Sequence, residues 1–192
     1  MTSILAAVLL TGGASRRMGF DKALLPVGGA PNALRLGRLL ASQVSLALEV
    51  GPGRSGLPWV TETLPGGGPL VAMGAGAAAL RARGHEGPAL VLACDLPLVD
   101  EAVVGFLARW PVAGSVVPVV GGHPQPLCAR WSAEDLQAAH LLAQAGERSM
   151  KALLRRPGIS WADEACWPPG VTAASFADAD TPADVARLGL PS

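Results

Sequence analysis

The chain has 192 residues, half of them hydrophobic, and its fifteen basic side chains balance fifteen acidic ones. This length fits one domain with a buried core, and the hydrophobic content argues against global disorder. A formal net charge of zero predicts no general affinity for nucleic acid or anionic membranes. The three cysteines, Cys94, Cys128 and Cys166, are widely spaced, so they predict neither a zinc site nor a disulfide framework.

An apolar run, Ile4–Leu10, lies near the start of the sequence. No basic segment precedes it and a Gly-rich turn follows it, so it predicts a buried strand rather than a secretion signal. No run of about 20 consecutive apolar residues is present, so the sequence predicts no membrane-spanning helix. We therefore expect a cytoplasmic protein that acts on neither membranes nor nucleic acid.

Short apolar runs alternate with segments of helical periodicity, separated by Gly- and Pro-rich turns. In chain order, the first half predicts a strand at Ile4–Leu10, a loop at Thr11–Gly19, a helix at Ala33–Ser42, a strand at Ser45–Val50, a loop at Gly51–Gly68, a helix at Pro69–Arg83, a strand at Ala89–Cys94 and a helix at Glu101–Arg109. The second half predicts strands at Ser115–Val120 and Gln125–Ala129, a helix capped by Ser132 and reaching Ala143, a helix at Arg148–Leu154 and a last helix capped by Thr181 with Pro182 in its first turn.

This alternation predicts an α/β fold, a single-domain Rossmann-like three-layer sandwich with a mostly parallel central sheet. In such sheets ligands bind beyond the carboxyl ends of the strands. We therefore expect the functional residues in the loops that follow the strands.

The strongest functional pattern, Leu10–Lys22, follows the first strand. Glycine pairs allow close backbone approach, and successive amides in such a turn form a concave anion site. Hydroxyl, guanidinium and ammonium donors then complete a potential triphosphate site. The residues concerned are Leu10, Thr11, Gly12, Gly13, Ser15, Arg16, Arg17 and Lys22. A Gly-rich turn with solvated basic side chains is the alternative, and neither the Walker A nor the dinucleotide-binding G-x-G-x-x-G pattern fits.

Leu10–Lys22 resembles the L-x-G-G-x-S-x-R-M-G-x-D-K signature of nucleotidyltransferases that act on molybdopterin, chiefly the molybdenum cofactor guanylyltransferases. Further matches follow in the same order: Gly68-Pro69-Leu70, Cys94-Asp95-Leu96-Pro97, His123-Pro124, Ala145-Gly146-Glu147-Arg148, Phe176 and Asp180-Thr181-Pro182. The resemblance implies transfer of GMP from GTP to the terminal phosphate of molybdopterin, with release of pyrophosphate. Possible further partners are molybdoenzyme apoproteins or cofactor-delivery proteins.

The resemblance also assigns roles within residues 1–110, a nucleotide- and magnesium-binding half. Lys22, Arg16 and Asp95 are the implied catalytic residues, and Asp95 is the implied ligand of Mg²⁺. The nucleotide contacts are those of the Leu10–Lys22 segment together with Asp95. Because the attacking phosphate is already anionic, catalysis of this kind depends on alignment and charge neutralisation rather than on a strong base. Alternatively, the Asp95 carboxylate only caps the turn that follows its strand.

Residues 111–192 are the implied acceptor-binding half, with contacts from His123, Arg148 and Lys151. His123 is alternatively an ordinary surface histidine. The Arg148–Lys151 segment is either an anion site at a helix N-terminus or part of an i,i+4 surface pair between Glu147 and Lys151. The aspartates 178 and 180 stand where the family pattern favours asparagine, and either could bind a second metal or cap the last helix.

The choice of base is the weakest part of the resemblance. Two glycines in the first loop and Gly68-Pro69-Leu70 downstream favour guanine over cytosine. An expected asparagine is missing at Glu49-Val50-Gly51, however, and an expected aspartate is missing at Glu62-Thr63. The alternatives are a cytidylyltransferase of molybdopterin, a nucleotidyltransferase for another small phosphate and a non-catalytic cofactor-binding module.

Overall fold

In the computed structural model, residues 5–12, 21–62, 64 and 66–190 are described. Within them the strands are β1 (Ala6–Leu10), β2 (Pro26–Val27), β3 (Ala30–Pro31), β4 (Leu46–Val50), β5 (Trp59–Val60), β6 (Ala89–Ala93), β7 (Val116–Val120), β8 (His123–Pro124), β9 (Cys128–Trp131) and β10 (Ser160–Ala162). The α-helices are α1 (Asn32–Gln43), α2 (Pro69–Arg81), α3 (Glu101–Ala108), α4 (Ala133–Gln144), α5 (Met150–Leu154) and α6 (Pro182–Arg187). Of the predicted site residues, Gly13, Ser15, Arg16 and Arg17 lie outside the described residues.

The central sheet has the strand order β10-β7-β9-β6-β1-β4-β5. Strand β1 pairs in parallel with β4 and β6, β4 with β5, and β7 with β10. Strand β9 is antiparallel to both of its neighbours, and β8 pairs antiparallel with β7. A separate small hairpin joins β2 and β3. The predicted α/β fold with a mostly parallel sheet is confirmed.

The strand predicted at Gln125–Ala129 is placed wrongly, since it lies at Cys128–Trp131, where it runs antiparallel to its neighbours β6 and β7. Residues 121–127 connect it to β7, and this is too short for a parallel return, which needs about a dozen residues or more. Gln125 instead lies in a turn, where its main-chain amide donates to the carbonyl of Pro118 at 2.8 Å. Strand β10, which the sequence did not predict, has only three residues.

Helices cover both faces of the sheet and form two separate cores. Val8 packs with residues of α2 and α4 on one face, whereas its neighbour Leu9 packs with residues of α1 and α3 on the other. All five residues of β1 are buried, as expected for a parallel strand covered on both sides. This explains why β1 is an uninterrupted apolar run rather than an alternating one.

Two predicted helix caps are confirmed. The hydroxyl of Ser132 accepts a hydrogen bond from the amide of Asp135, and Thr181 forms a capping box with Asp184. The helix predicted from Arg148 begins later, at Met150, because Ser149 is its N-cap. In the described part of the chain no helix is long and apolar enough to cross a membrane.

Two helical glycines provide a test of this packing. A Cβ on Gly76 of α2 would lie 2.6 Å from Cγ1 of Val8, a fully buried and stiff side chain. The atoms nearest to a Cβ on Gly105 of α3 would be those at the flexible end of the Arg109 side chain, at 2.4–3.0 Å.

We expect Gly76→Ala to destabilise the protein by about 1–2 kcal/mol, because overpacking against the sheet exceeds the gain in helix propensity. We expect Gly105→Ala to stabilise it by up to about 1 kcal/mol, because Arg109 moves aside and the propensity gain remains. Urea unfolding of both variants measures the difference. Effects of the same sign would contradict this account of the interface between α2 and the sheet.

Candidate active site

The candidate site lies at the edge of the sheet where β1, β4 and β6 end. The amides of Thr11 and Gly12 both donate to the carbonyl of Val50, at 3.0 and 3.3 Å, and the amide of Cys94 donates to the carbonyl of Leu10 at 3.0 Å. The segments that follow these three strands are therefore held against one another. The Leu10 side chain is buried in the core, so its predicted part in the site is limited to its backbone.

A buried carboxylate organises the ends of β1 and β4. Glu49 is fully buried and accepts hydrogen bonds from the Thr11 hydroxyl, from the amides of Gly53, Arg54 and Ser55 at 2.7–2.9 Å and from the Ser55 hydroxyl at 2.6 Å. Burial opposes its ionisation, but these hydrogen bonds outweigh burial and hold the pKa of Glu49 below its usual range. Glu49 and Thr11 therefore bind each other and the loop after β4.

A second carboxylate, which the sequence analysis noted only as a departure from the family pattern, lies beside the first loop. A Cβ built on Gly12 would be 2.7 Å from Oε1 of Glu62, so the carboxylate lies directly against Gly12. The other oxygen, Oε2, is buried and has no hydrogen-bond partner among the described residues. Burial raises the pKa of Glu62, although the amides of Gly67 and Gly66 oppose the increase. Glu62 is thus a desolvated acceptor with capacity for a further donor.

Lys22 is brought to the same edge by the last part of the chain. It begins a short 3-10 turn capped by Asp21, whose Oδ1 accepts from the amide of Ala23 at 3.0 Å. The next residues form a small core with the C-terminal segment, made of Leu25, Val27, Ala179 and Val185. As a result, Lys22 forms an ion pair with Asp180, and its Nζ lies 4.0 Å from Oδ2 of Asp95.

Asp95 follows β6, as predicted, and its side chain is 30% exposed. Its carbonyl accepts from the amide of Ala179 at 2.9 Å, which links it to the segment carrying Asp178 and Asp180. Burial raises the pKa of Asp95, the ammonium group of Lys22 opposes this effect, and the charges of Asp180 and Asp178 add to it. The carboxylates are thus close enough to repel one another.

The donor set around Asp95 suits a hard cation, since it consists of carboxylate oxygens whose mutual repulsion a cation would relieve. Among the described residues, no group of three or more His, Cys, Asp or Glu could hold a metal ion. A cation bound beside Asp95 would therefore take most of its ligands from water or substrate, a mode of binding that Mg²⁺ can adopt.

The three predicted acceptor residues have different surroundings. His123 lies exposed on β8, beside the carboxyl end of β7. Arg148 lies against the loop before α2, because a Cβ on Gly68 would be 3.0 Å from its carbonyl oxygen. Lys151 is exposed on α5. The alternative of a helical i,i+4 pair is wrong, since Glu147 precedes the helix and accepts instead from the amides of Arg148 and Ser149 at 2.8 and 2.9 Å.

Comparison with known proteins agrees with this geometry. Residues 7–162 match the MobA-like NTP transferase domain. Probable molybdenum cofactor guanylyltransferases from Mycobacterium tuberculosis and Chloroflexus aggregans are 35% and 30% identical to the chain, over 78% and 83% of it and 79% and 80% of their own sequences. The crystal structure of molybdopterin-guanine dinucleotide biosynthesis protein A from Archaeoglobus fulgidus has a TM-score of 0.74 and 22% identity, covering 95% of this chain and 96% of that one.

The fold, the lysine and aspartates at the carboxyl edge and these likenesses identify a nucleotidyltransferase. Within that class the chain belongs to the MobA-like NTP transferase family, because the match extends over most of its length. The family resemblance inferred from the sequence is therefore confirmed.

The Glu49 network gives a prediction for stability. We expect Glu49→Gln to destabilise the protein by about 3 kcal/mol at pH 7, because an amide cannot accept all five hydrogen bonds and would direct a donor at other donors. The lowered pKa of Glu49 means that its ionised form stabilises the fold above the unfolded pKa, about 4.3. That contribution is lost as the pH falls further, so the advantage of the wild-type protein should shrink.

Urea unfolding at a series of pH values measures this effect, with Glu86→Gln as the control. Glu86 is exposed, so its replacement should change the unfolding free energy by no more than about 0.5 kcal/mol. An equal effect of both substitutions, or an advantage independent of pH, would contradict the role given to Glu49.

Proposed function

We propose that the protein transfers GMP from GTP to the terminal phosphate of molybdopterin, or of its molybdenum-loaded form, and releases pyrophosphate. An oxygen of the acceptor phosphate forms a bond to the α-phosphorus of GTP, and the bond between that phosphorus and the β-phosphate oxygen breaks. The observation that carries the proposal is the position of Lys22 between Asp95 and Asp180, beyond the carboxyl ends of the strands. The names of the relatives in M. tuberculosis and C. aggregans support the choice of acceptor.

Different residues of the chain bind different parts of the triphosphate. Lys22 stabilises the charge that develops at the α-phosphate, since an ammonium group is a compact point charge. Backbone amides of the first loop that follow Gly12, up to Ser15, hold the β- and γ-phosphates together with Arg16 and Arg17. Asp95 would hold Mg²⁺, which would neutralise triphosphate charge. Asp180 releases Lys22 to the substrate and remains nearby as a further carboxylate.

Glu62 supports guanine as the base. The Watson–Crick edge of guanine presents two adjacent donors, N1–H and N2–H, which one carboxylate can accept together. Cytosine and adenine each present one donor next to a ring nitrogen that is an acceptor, and this nitrogen would repel the carboxylate. Because Oε2 of Glu62 is buried and has no partner in the described part of the chain, a base without the second donor would leave that oxygen unsatisfied. Guanine is therefore the base that fits.

The acceptor contacts belong to the second part of the chain. His123 and Arg148 are placed near the carboxyl edge by β8 and by the contact with Gly68, respectively, and Lys151 extends from the following helix. These three side chains provide cationic or donor groups for the pterin phosphate. The product would pass to molybdoenzyme apoproteins or delivery proteins in the cytoplasm.

The direct test is pyrophosphate release by the purified protein with Mg²⁺ and molybdopterin, comparing GTP, CTP and ATP. We expect release with GTP and a loss of at least about 100-fold in Lys22→Ala, with the fold retained. Release with CTP alone would keep the reaction and overturn the base. Binding of nucleotide without pyrophosphate release from any of the three would overturn nucleotidyl transfer to this acceptor.

Glu62→Gln tests the choice of base. We expect kcat/KM for GTP to fall by about 10- to 100-fold, because a charge-assisted hydrogen bond is lost, while kcat/KM for CTP does not fall. The raised pKa of Glu62 means that its ionised form destabilises the fold at neutral pH. This destabilisation decreases as the pH is lowered and the carboxylate becomes protonated.

The variant should therefore be as stable as the wild-type protein at pH 7, or more stable, as measured by thermal unfolding. Glu86→Gln serves as the surface control and should change neither property. An equal loss for GTP and CTP, or a marked loss of stability in Glu62→Gln, would show that Glu62 is a structural residue.

A further inference from the structure

The segment that carries Asp95, residues 94–100 between β6 and α3, is held by two polar side chains from the first turn of α1. Asn32, which is fully buried, donates from its side-chain amide to the carbonyl of Cys94 at 2.8 Å. The oxygen of the same amide accepts from Nε of Arg35 at 2.9 Å. The two side chains therefore form one connected unit on the inner face of α1.

The guanidinium of Arg35 binds the rest of the segment through its carbonyl oxygens. Nη1 donates to Val99 at 2.6 Å, and Nη2 donates to Pro97 at 2.8 Å and to Leu96 at 3.5 Å. With Cys94 bound by Asn32 and Asp95 bound by the amide of Ala179, the carbonyls on both sides of the Asp95 side chain are fixed. The main chain of Asp95 thus has little freedom to move.

This arrangement carries an electrostatic cost. Burial lowers the pKa of the Arg35 guanidinium, although the charge of Asp100 opposes the effect. In the part of the chain that is described, all hydrogen bonds of this side chain end on Asn32 or on those carbonyls. A neutral helix cap could close a surface loop without burying a cation. The buried Arg35 guanidinium therefore indicates that this short segment must be held in one conformation.

A second arginine offers an internal comparison. Arg130 on β9 is also desolvated, which lowers its pKa. Within the described residues its guanidinium likewise donates only to carbonyls, those of Ala108, Trp110, Val112 and Gly114. That segment joins α3 to the start of β7, at the edge of the sheet opposite the candidate site. Arg35 and Arg130 thus bind the carbonyls of a loop in the same way, but only the loop bound by Arg35 contains Asp95.

We propose that Arg35, oriented by Asn32, is a positioning residue that fixes the Asp95 carboxylate toward the cation and the triphosphate. The inference rests on the proposed function, in which Asp95 is the metal ligand. Only the planar fork of a guanidinium reaches carbonyls on two sides at once, so lysine cannot replace it. Groups that orient a metal ligand from outside the coordination shell typically change metal affinity by about 10- to 100-fold when removed.

The test compares Arg35→Lys with Arg130→Lys, and Asp95→Asn serves as the reference for a lost ligand. Mn²⁺ alone is the probe, and the decrease of the free Mn²⁺ electron paramagnetic resonance signal reports binding. We expect comparable decreases in Tm for the two lysine variants. We expect Mn²⁺ binding to weaken by about 10-fold or more in Arg35→Lys and to remain at the wild-type level in Arg130→Lys.

Turnover with GTP gives a second readout, for which Arg35→Lys is measured alone and in combination with Asp95→Asn. Arg35→Lys should lower kcat and raise the Mg²⁺ concentration needed for half-maximal activity, with little change in KM for GTP. Combined with Asp95→Asn, it should lower kcat no further, because Arg35 acts through that carboxylate. Arg130→Lys should have the same small effect in both backgrounds.

The outcomes separate the inference from the proposed function. If Asp95→Asn weakens Mn²⁺ binding but Arg35→Lys does not, while both lysine variants lose similar stability, the positioning role is wrong and the metal role of Asp95 stands. If wild-type protein and Asp95→Asn bind Mn²⁺ equally, the metal role itself is wrong, and the inference falls with it.

Discussion

The buried carboxylate of Glu49 is the interaction on which the geometry of the active site depends. Removing a carboxylate from water costs several kcal/mol unless other donors replace the lost hydration, and here five hydrogen bonds do so. Because the donors come from the end of β1 and from the loop after β4, the two segments are fixed relative to each other. Arg54 extends the connection through an ion pair of 3.4 Å with Asp21, next to Lys22. The first loop and the Lys22 turn therefore share one anchor.

Hydrophobic packing brings the C-terminal segment of the chain to the site. Leu25 and Val27 bury their side chains against Ala179 and Val185, which brings Asp180 to Lys22 across 158 positions of sequence. This contact concentrates carboxylates around Asp95 in a protein whose overall charge is balanced. Net charge predicts nothing about such a local field, because burial and proximity determine it.

The sequence predicted what local patterns encode. The apolar run of β1 and the Ser132 cap of α4 are local, and both are correct. Strand β9 was misplaced because its position depends on pairing with β6, where Cys128 lies opposite Leu92. In the site, the family resemblance predicted Lys22 and Asp95, and the position of Asp95 after a strand agreed with it. No local pattern distinguishes Arg35 from a solvated helical arginine, and its role comes from carbonyls more than sixty positions away.

Glu49 and Glu62 divide two tasks between carboxylates at the same edge of the sheet. Glu49 is satisfied by the fold itself, which lowers its pKa and leaves no capacity for a ligand. Glu62 has a raised pKa and one unpartnered buried oxygen; among the described residues the other such atoms, in Trp110 and Gln137, belong to neutral groups. An ionisable group left unsatisfied lowers the stability of the free protein, and a ligand with two donors would remove that cost. Base recognition is therefore expected from Glu62, and the rigid frame for it from Glu49.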